Sequence, residues 1–213
     1  MEIFNATNLL YIWGGFVKTI EISALSIFFS LIFGTVLALV KSYAPRPFRI
    51  LVSAYIELFR CTPNLLWILF IYFTVQGLDI VISTIAFTLF TSAVMAEIVR
   101  GGLNSIPRGQ FEAAQSQGFG FFATMRYIIL PQAMSTSMPA FMANVIFLLK
   151  ETSVFSAISL MDLMFTAKDL IGLYYKTAEN LFLLVVFYLI ILLPVSIVGS
   201  LIERRLRYAG FGS

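Results

Sequence analysis

The stretch that decides the fold is NLFLLVVFYLIILLPVSIVGSLI, residues 180–202, which contains no charged side chain. A helix needs roughly 20 mostly apolar residues to cross the ~30 Å hydrocarbon core of a bilayer. Four more runs without charge precede it, at residues 22–40, 61–78, 80–96 and 127–149. The second run extends back toward Phe48, and its full length requires tilt or a kink at Pro63. The sequence therefore predicts an all-α membrane protein with five transmembrane helices.

The composition supports this prediction and excludes several other classes. Of 213 residues, 60% are apolar and 12% charged, whereas soluble domains carry about 25% charged residues. There is no His and only one Cys, so the commonest zinc ligand sets are missing and no internal disulfide can form. A typical soluble enzyme, a nucleic-acid-binding protein and a disulfide-built secreted domain are excluded. Neither a metal nor a nucleic-acid partner is expected.

The basic residues predict the orientation of the chain. Nine of the fourteen Lys and Arg fall on one side of the five spans: Lys41, Arg46, Arg49, Arg100, Arg108, Arg126, Arg204, Arg205 and Arg207. The turn at residues 76–79, on the other side, carries no base. The positive-inside rule assigns the basic side to the cytoplasm. We therefore expect the N-terminus outside, the C-terminus in the cytoplasm and one membrane domain over residues 1–213.

Residues 104–126 interrupt the apolar pattern on the predicted cytoplasmic side. Pro107 suits a helix start, and Gly118 and Gly120 suit a break before a second apolar stretch. The pattern predicts two short helices, which either pack beneath their own bundle or present a surface to a partner.

The spacing of seven residues favours the second alternative. Glu112, Ala113, Ala114, Gly118, Ile128, Leu130 and Pro131 occupy every spaced position of a pattern that resembles the EAA motif of ABC importer membrane subunits. The resemblance implies a type I ABC importer permease fold, with residues 104–126 as a coupling segment that docks on a cytoplasmic ATPase. Alanines allow close approach, and a glutamate at a helix start favours the positive end of the helix dipole.

Three further segments resemble the permeases of polar amino-acid importers. YIELFRCTP at residues 55–63 is similar to their Y-I-E-x-F-R-G-T-P segment, with Cys61 where the family usually has Gly. AEIVRGGL at residues 96–103 and LKETS at residues 149–153 resemble two more of their segments. A side chain at position 61 changes how closely the backbone can be approached, or the shape of a pocket.

Ionisable and polar side chains in or near the spans are the candidates for a substrate path. Arg60 either pairs with Glu57, three residues earlier, or engages the α-carboxylate of an amino acid through its guanidinium fork. Thr62 and Asn64 add polar contacts beside it. Asn144 either links helices or lines the path.

Acidic residues on the predicted outer side extend this set. Glu151 and Asp162 follow the fourth span, and the resemblance implies that this stretch shapes the outer mouth and contributes an acid for a substrate amino group. The alternative is that both acids are solvated or pair with Lys150 and Lys168. Glu97 and Arg100 repeat the three-residue spacing, which favours a structural or gating ion pair.

These observations predict the permease subunit of an ATP-driven ABC importer that moves polar amino acids across the cytoplasmic membrane by alternating access. The chain has no phosphate-binding G-x-x-x-x-G-K-[ST] loop, so ATP and Mg are expected on a partner ATPase dimer, and the chain itself is not an enzyme. A second permease, identical or homologous, and an extracytoplasmic amino-acid-binding protein are the other implied partners, together with membrane lipid. Transport of a related zwitterion such as an opine is the alternative. An ion-coupled carrier or an intramembrane enzyme would need internal repeats or a nucleophile–base pair that the sequence lacks.

Overall fold

The computed structural model describes residues 4–75 and 80–208, and every element within them is helical. The α-helices are α1 (Ala6–Tyr43), α2 (Arg46–Cys61), α3 (Asn64–Thr74), α4 (Ile80–Ser105), α5 (Arg108–Ser116), α6 (Phe121–Thr124), α7 (Leu130–Glu151), α8 (Leu163–Tyr174) and α9 (Thr177–Tyr208). A π-helical turn at Met125–Ile129 joins α6 to α7, and a 3-10 segment at Thr152–Ile158 follows α7.

Within these residues, four helical stretches are long and apolar enough to cross a membrane: Ala6–Tyr43, Ile80–Ser105, Phe121–Ile158 and Thr177–Leu206. A fifth is counted if α2 and α3, which meet at an angle of 100°, form one broken span. The predicted all-α membrane fold is confirmed, and the second predicted span is the broken one. The turn at 76–79, which carries no base, lies outside the described residues, and the orientation of the termini stays a prediction.

The break between α2 and α3 has a local cause. Thr62 is extended, with φ −111° and ψ 135°, as steric contact with a following proline favours. Pro63 then caps α3 without a side-chain hydrogen bond, and its carbonyl accepts from the Leu66 N–H at 3.1 Å. The predicted kink at Pro63 is thus confirmed as a sharp turn.

The bundle is built around α4, which packs on α1 along one side and on α7 along another. Small residues set both contacts. A Cβ placed on Gly34 of α1 would lie 2.6 Å from the Met95 Cβ, and one on Gly102 would collide with Ala133 and Ser137 of α7. Close backbone approach at small residues is the usual way in which membrane helices associate.

Candidate functional site: the coupling segment and the polar break

The predicted coupling segment folds as two short helices set at a corner. Pro107 is the N-cap of α5, as the sequence predicts, and Gln117 is its C-cap. Gly118 has φ +82°, a conformation that non-glycine residues rarely adopt, and the Phe119 N–H returns to the Ala114 carbonyl at 3.0 Å. Gly120 then caps α6. The predicted break therefore depends on Gly118, whereas Gly120 has an ordinary extended backbone with φ −72°.

The motif divides into an exposed half and an anchoring half. Glu112 and Ala113 are exposed on α5, whereas Ala114 is buried. Glu112 is the fifth of nine residues of α5, because the helix begins directly after Pro107. The expectation of a glutamate at a helix start is therefore wrong, and the dipole of α5 does not account for it, since that effect is confined to the first turn.

The anchoring half packs into the transmembrane core. Ile128 and Leu130 lie against a buried cluster formed by Ala38, Val99, Leu103, Met125, Ile129 and Ala133, which come from α1, α4 and the start of α7. Pro131 follows directly after the π-helical turn, inside a continuous helical stretch, where it cannot donate a backbone hydrogen bond. In the intervening π-helical turn the Leu130 N–H reaches back to the Met125 carbonyl, and such turns are frequent at functional sites. These contacts join the end of the coupling segment to α1 and α4.

Aromatic side chains surround the exposed half. Phe122 is 86% exposed and Tyr127 67%, and Phe119 and Phe121 are exposed as well. The Phe121 ring also packs edge-on against Tyr43 at the end of α1, with ring centroids 5.5 Å apart. Exposed aromatics clustered on one short segment are typical both of partner-binding surfaces and of the membrane interface.

A three-residue ion network lies near the coupling segment. The Glu97 carboxylate accepts from the Lys41 Nζ at 2.9 Å and from the Arg100 guanidinium at 2.6 Å. The Glu97–Arg100 pair is confirmed, and Lys41, 56 residues away in the chain, is a partner that the spacing does not reveal. The network ties the end of α1 to the last turns of α4.

The second polar cluster lies at the break between α2 and α3. The Asn64 amide donates to the Glu151 carboxylate, which brings two predicted path residues together from α3 and the end of α7. Arg60 and Cys61 are exposed beside the break, and Thr62 is half-buried in it. The Cys61 thiol donates to Glu57 at 3.6 Å, and Glu57 and Arg60 form no ion pair within the described part of the chain.

Asn144 lies seven residues before Glu151 and so on the same side of α7. Its side chain is 8% exposed, and its amide nitrogen has no hydrogen-bond acceptor among the described residues. A buried amide without a partner costs free energy, so Asn144 stays a candidate for the substrate path.

Asp162 lies elsewhere, beneath α1. It is the N-cap of α8, and its carboxylate accepts from the Phe165 N–H at 2.9 Å. The side chain is fully buried and forms no ion pair within 4 Å in the described part of the chain, so it is neither solvated nor paired with Lys150 or Lys168. Burial raises the pKa of this carboxyl from 3.8 to about 7, against the lowering effect of the Phe165 N–H.

Comparison with known proteins now fixes the family. Residues 30–208 match the family described as the binding-protein-dependent transport system inner membrane component. The chain belongs to this family. It is 33% identical over 211 residues to the probable glutamine ABC transporter permease protein GlnP of Bacillus subtilis strain 168, covering 95% of each chain. It is 32% identical over 212 residues to the arginine transport system permease protein ArtQ of the same organism, covering 96% of this chain and 97% of the relative.

A solved structure described as an amino acid ABC transporter with histidines has a similar fold. Its TM-score is 0.83 at 31% identity, over 92% of this chain and 94% of that chain. The type I ABC permease fold and the family predicted from the EAA-like motif are therefore confirmed. In this permease the motif residues run from the exposed α5, across the break at Gly118, to the partly buried Ile128 and Leu130.

Proposed function

We propose that this permease is the membrane subunit of an ATP-driven importer that moves amino acids across the cytoplasmic membrane. The observation that carries the proposal is the exposed helix pair α5–α6, whose π-helical continuation places Met125 and Ile129 in a buried cluster with residues of α1 and α4. The names of the relatives, glutamine and arginine permeases, support amino acids as the substrate class.

In the proposed mechanism α5 binds to a cytoplasmic ATPase. When the ATPase dimer closes around ATP and Mg, α5 is displaced. In this mechanism the permease does not bind nucleotide itself and transmits the movement of the ATPase to its transmembrane helices. The displacement reaches α7 through Ile128 and Leu130, which pack on α1 and α4. Transport follows only if the two arrangements of the bundle differ in their affinity for substrate.

The proposed substrate path passes the α2–α3 break. Glu151 supplies a carboxylate for a substrate amino group, and its present partner Asn64 keeps it oriented. The exposed Arg60 supplies a guanidinium whose two parallel N–H groups match an α-carboxylate. Cys61 and Thr62 form the turn between α2 and α3. Asn144, with its amide unpartnered among the described residues, extends the path along α7.

The remaining parts of the assembly are proposed from the family. A second permease, identical or homologous, completes the pathway against the faces that this chain leaves uncovered. An extracytoplasmic binding protein delivers the substrate, and the N-terminus lies outside with the coupling segment in the cytoplasm.

The test is a charge reversal on the exposed half of the motif. Glu112→Lys leaves the buried anchor untouched, so the permease should reach the membrane in normal amount while uptake of radiolabelled glutamine or arginine falls at least tenfold. Glu179→Lys, a reversal of another exposed acid in the first turn of α9, is the matched control and should retain uptake.

Two outcomes would contradict the proposal. Normal uptake by Glu112→Lys would show that α5 does not couple transport to an ATPase. Uptake that continues after ATP is depleted, and that follows an ion gradient instead, would support an ion-coupled carrier.

A further inference from the structure

A groove of about 620 Å³ opens at the corner where α1 ends and α2 begins. Its walls are Lys41, Arg46, Arg49, Ile50, Ser53, Ala54 and Glu57. Three of these side chains are cationic and one is anionic, so the groove carries a net positive charge.

Most of this charge is not neutralised within the chain. Lys41 is held by Glu97 at 2.9 Å, but Arg46 and Arg49 are exposed and form no ion pair with any residue that the structure describes. Both arginines stand in the first turn of α2, which has no acidic residue and no side-chain cap. The positive end of a helix dipole disfavours cations. An anion in the groove would therefore be attracted by the dipole and by both guanidinium groups.

The surroundings indicate that the anion belongs to an amphiphile. The groove lies at the end of α1, which is long and apolar enough to span a membrane, and the predicted topology puts this end on the cytoplasmic side. Directly beside the arginines, α2 exposes Phe48, Ile50 and Leu51 by 56%, 58% and 68%. An inorganic anion would make no favourable contact with this apolar surface. A phospholipid can bind its phosphate to the arginines and pack its acyl chains on the apolar side chains. Basic pockets next to spans bind the headgroups of anionic lipids.

We propose that the groove binds the headgroup of an anionic phospholipid. Arg46 and Arg49 hold the phosphate, the Ser53 hydroxyl lies in the same wall, and the acyl chains run along the apolar side of α2. Since α2 leads to the break at Thr62–Pro63, a lipid held here fixes the position of the helix that precedes the polar cluster. The site is independent of which substrate is transported.

The test measures lipid binding to the full-length permease purified in a neutral detergent. The probes are dioctanoyl phosphatidylglycerol, dioctanoyl phosphatidylcholine and glycerol 3-phosphate, titrated by thermophoresis. Phosphatidylglycerol should bind best. The double variant Arg46→Gln/Arg49→Gln should weaken it about thirtyfold, from roughly fivefold for each basic residue near an anionic membrane surface. The matched control, Arg204→Gln/Arg205→Gln, removes two exposed arginines at the end of α9, outside the groove, and should leave binding unchanged.

A second variant keeps the proposal testable if the double variant misfolds. Glu57→Gln removes the one carboxylate of the groove and should strengthen phosphatidylglycerol binding about fivefold. Three results would overturn the proposal. The first is equal binding of phosphatidylglycerol and phosphatidylcholine, and the second is an equal loss of phosphatidylglycerol binding in the two double arginine variants. The third is glycerol 3-phosphate binding as tightly as phosphatidylglycerol. The last result would indicate a site for a free phosphate.

Discussion

Replacing Asp162 by Asn should make the permease more stable at pH 8.5 but not at pH 4.5. The carboxyl is fully buried at the N-cap of α8, with one oxygen bonded to the Phe165 N–H and the other without a hydrogen-bond partner among the described residues. Burial raises its pKa to about 7 from an ordinary 3.8. The folded protein therefore binds this proton more tightly than the unfolded chain does.

The sign of the pH dependence follows from this order of the two pKa values. Below pH 3.8 the carboxyl is protonated in both states and adds no pH dependence. As the pH rises toward 7 the unfolded chain releases the proton while the folded protein keeps it, so the stability falls. A shift of about three units corresponds to about 4 kcal/mol at most. Above pH 7 this loss is complete.

The asparagine keeps the cap and removes the charge. Its amide oxygen can accept from the Phe165 N–H as the carboxylate does, whereas its buried amide hydrogens cost roughly 1–3 kcal/mol if they find no acceptor. Subtracting this cost from the limit of about 4 kcal/mol leaves a gain of roughly 1–3 kcal/mol in the free energy of unfolding at pH 8.5. Asp162→Ala loses the cap and should be destabilised by about 1 kcal/mol relative to Asn at both pH values.

The assay is equilibrium unfolding in mixed micelles, followed by the fluorescence of Trp13 and Trp67, at pH 4.5 and 8.5. The control is Glu179→Gln, because this acid is exposed and its replacement should leave the pH profile as in the parent chain. Profiles for Asp162→Asn and the parent that run parallel across this range would refute the reasoning. Uptake by Asp162→Asn should persist, since the carboxylate faces no open path; lost uptake with unchanged stability would make Asp162 a substrate ligand.

Two further changes test the helix contacts. Glu97→Gln leaves Lys41 and Arg100 without their shared carboxylate and should lower the free energy of unfolding by roughly 1–2 kcal/mol. Breaking a fully buried pair typically costs about 3–5 kcal/mol, and the loss is smaller here because the side chains are partly exposed. An unchanged unfolding midpoint would contradict this prediction. Gly102→Ala forces apart α4 and α7 and should destabilise by about 1–3 kcal/mol, whereas Gly101→Ala, where a Cβ meets nothing within 4 Å, should be neutral or slightly stabilising. Equal thermal midpoints for the two alanine variants would show that α4 and α7 do not approach as closely as the structure places them.

The features of this fold that the sequence predicts are local ones. Apolar runs locate the spans because each helix must satisfy its own backbone in lipid. Pro63 marks the break and Pro107 the start of α5 for equally local reasons. The position of Glu112 was predicted at the helix start and was found in its middle, although the N-cap proline five residues earlier was a usable signal.

Contacts between residues far apart in the chain could not be predicted from the sequence. The Lys41–Glu97 pair and the Asn64–Glu151 hydrogen bond join residues 56 and 87 positions apart, and no spacing rule connects them. Asp162 lies between these cases. An aspartate directly before an apolar helical stretch is an N-cap signal, yet the sequence analysis considered only a substrate ligand, a solvated acid or an ion pair for Asp162.

Helix α7 links the two halves of the proposed mechanism. It begins at Leu130, in the buried anchor of the coupling segment, and ends at Glu151, in the polar cluster. Its 22 residues span about 33 Å at 1.5 Å per residue. A continuous helix transmits an end displacement better than a loop does, but Pro139 removes one hydrogen bond from its interior and permits a bend. Movement of α5 is therefore expected at Glu151 as a change of direction as well as of position. In the proposed mechanism this movement alters the Asn64–Glu151 contact, and with it the orientation of the carboxylate that we propose for a substrate amino group.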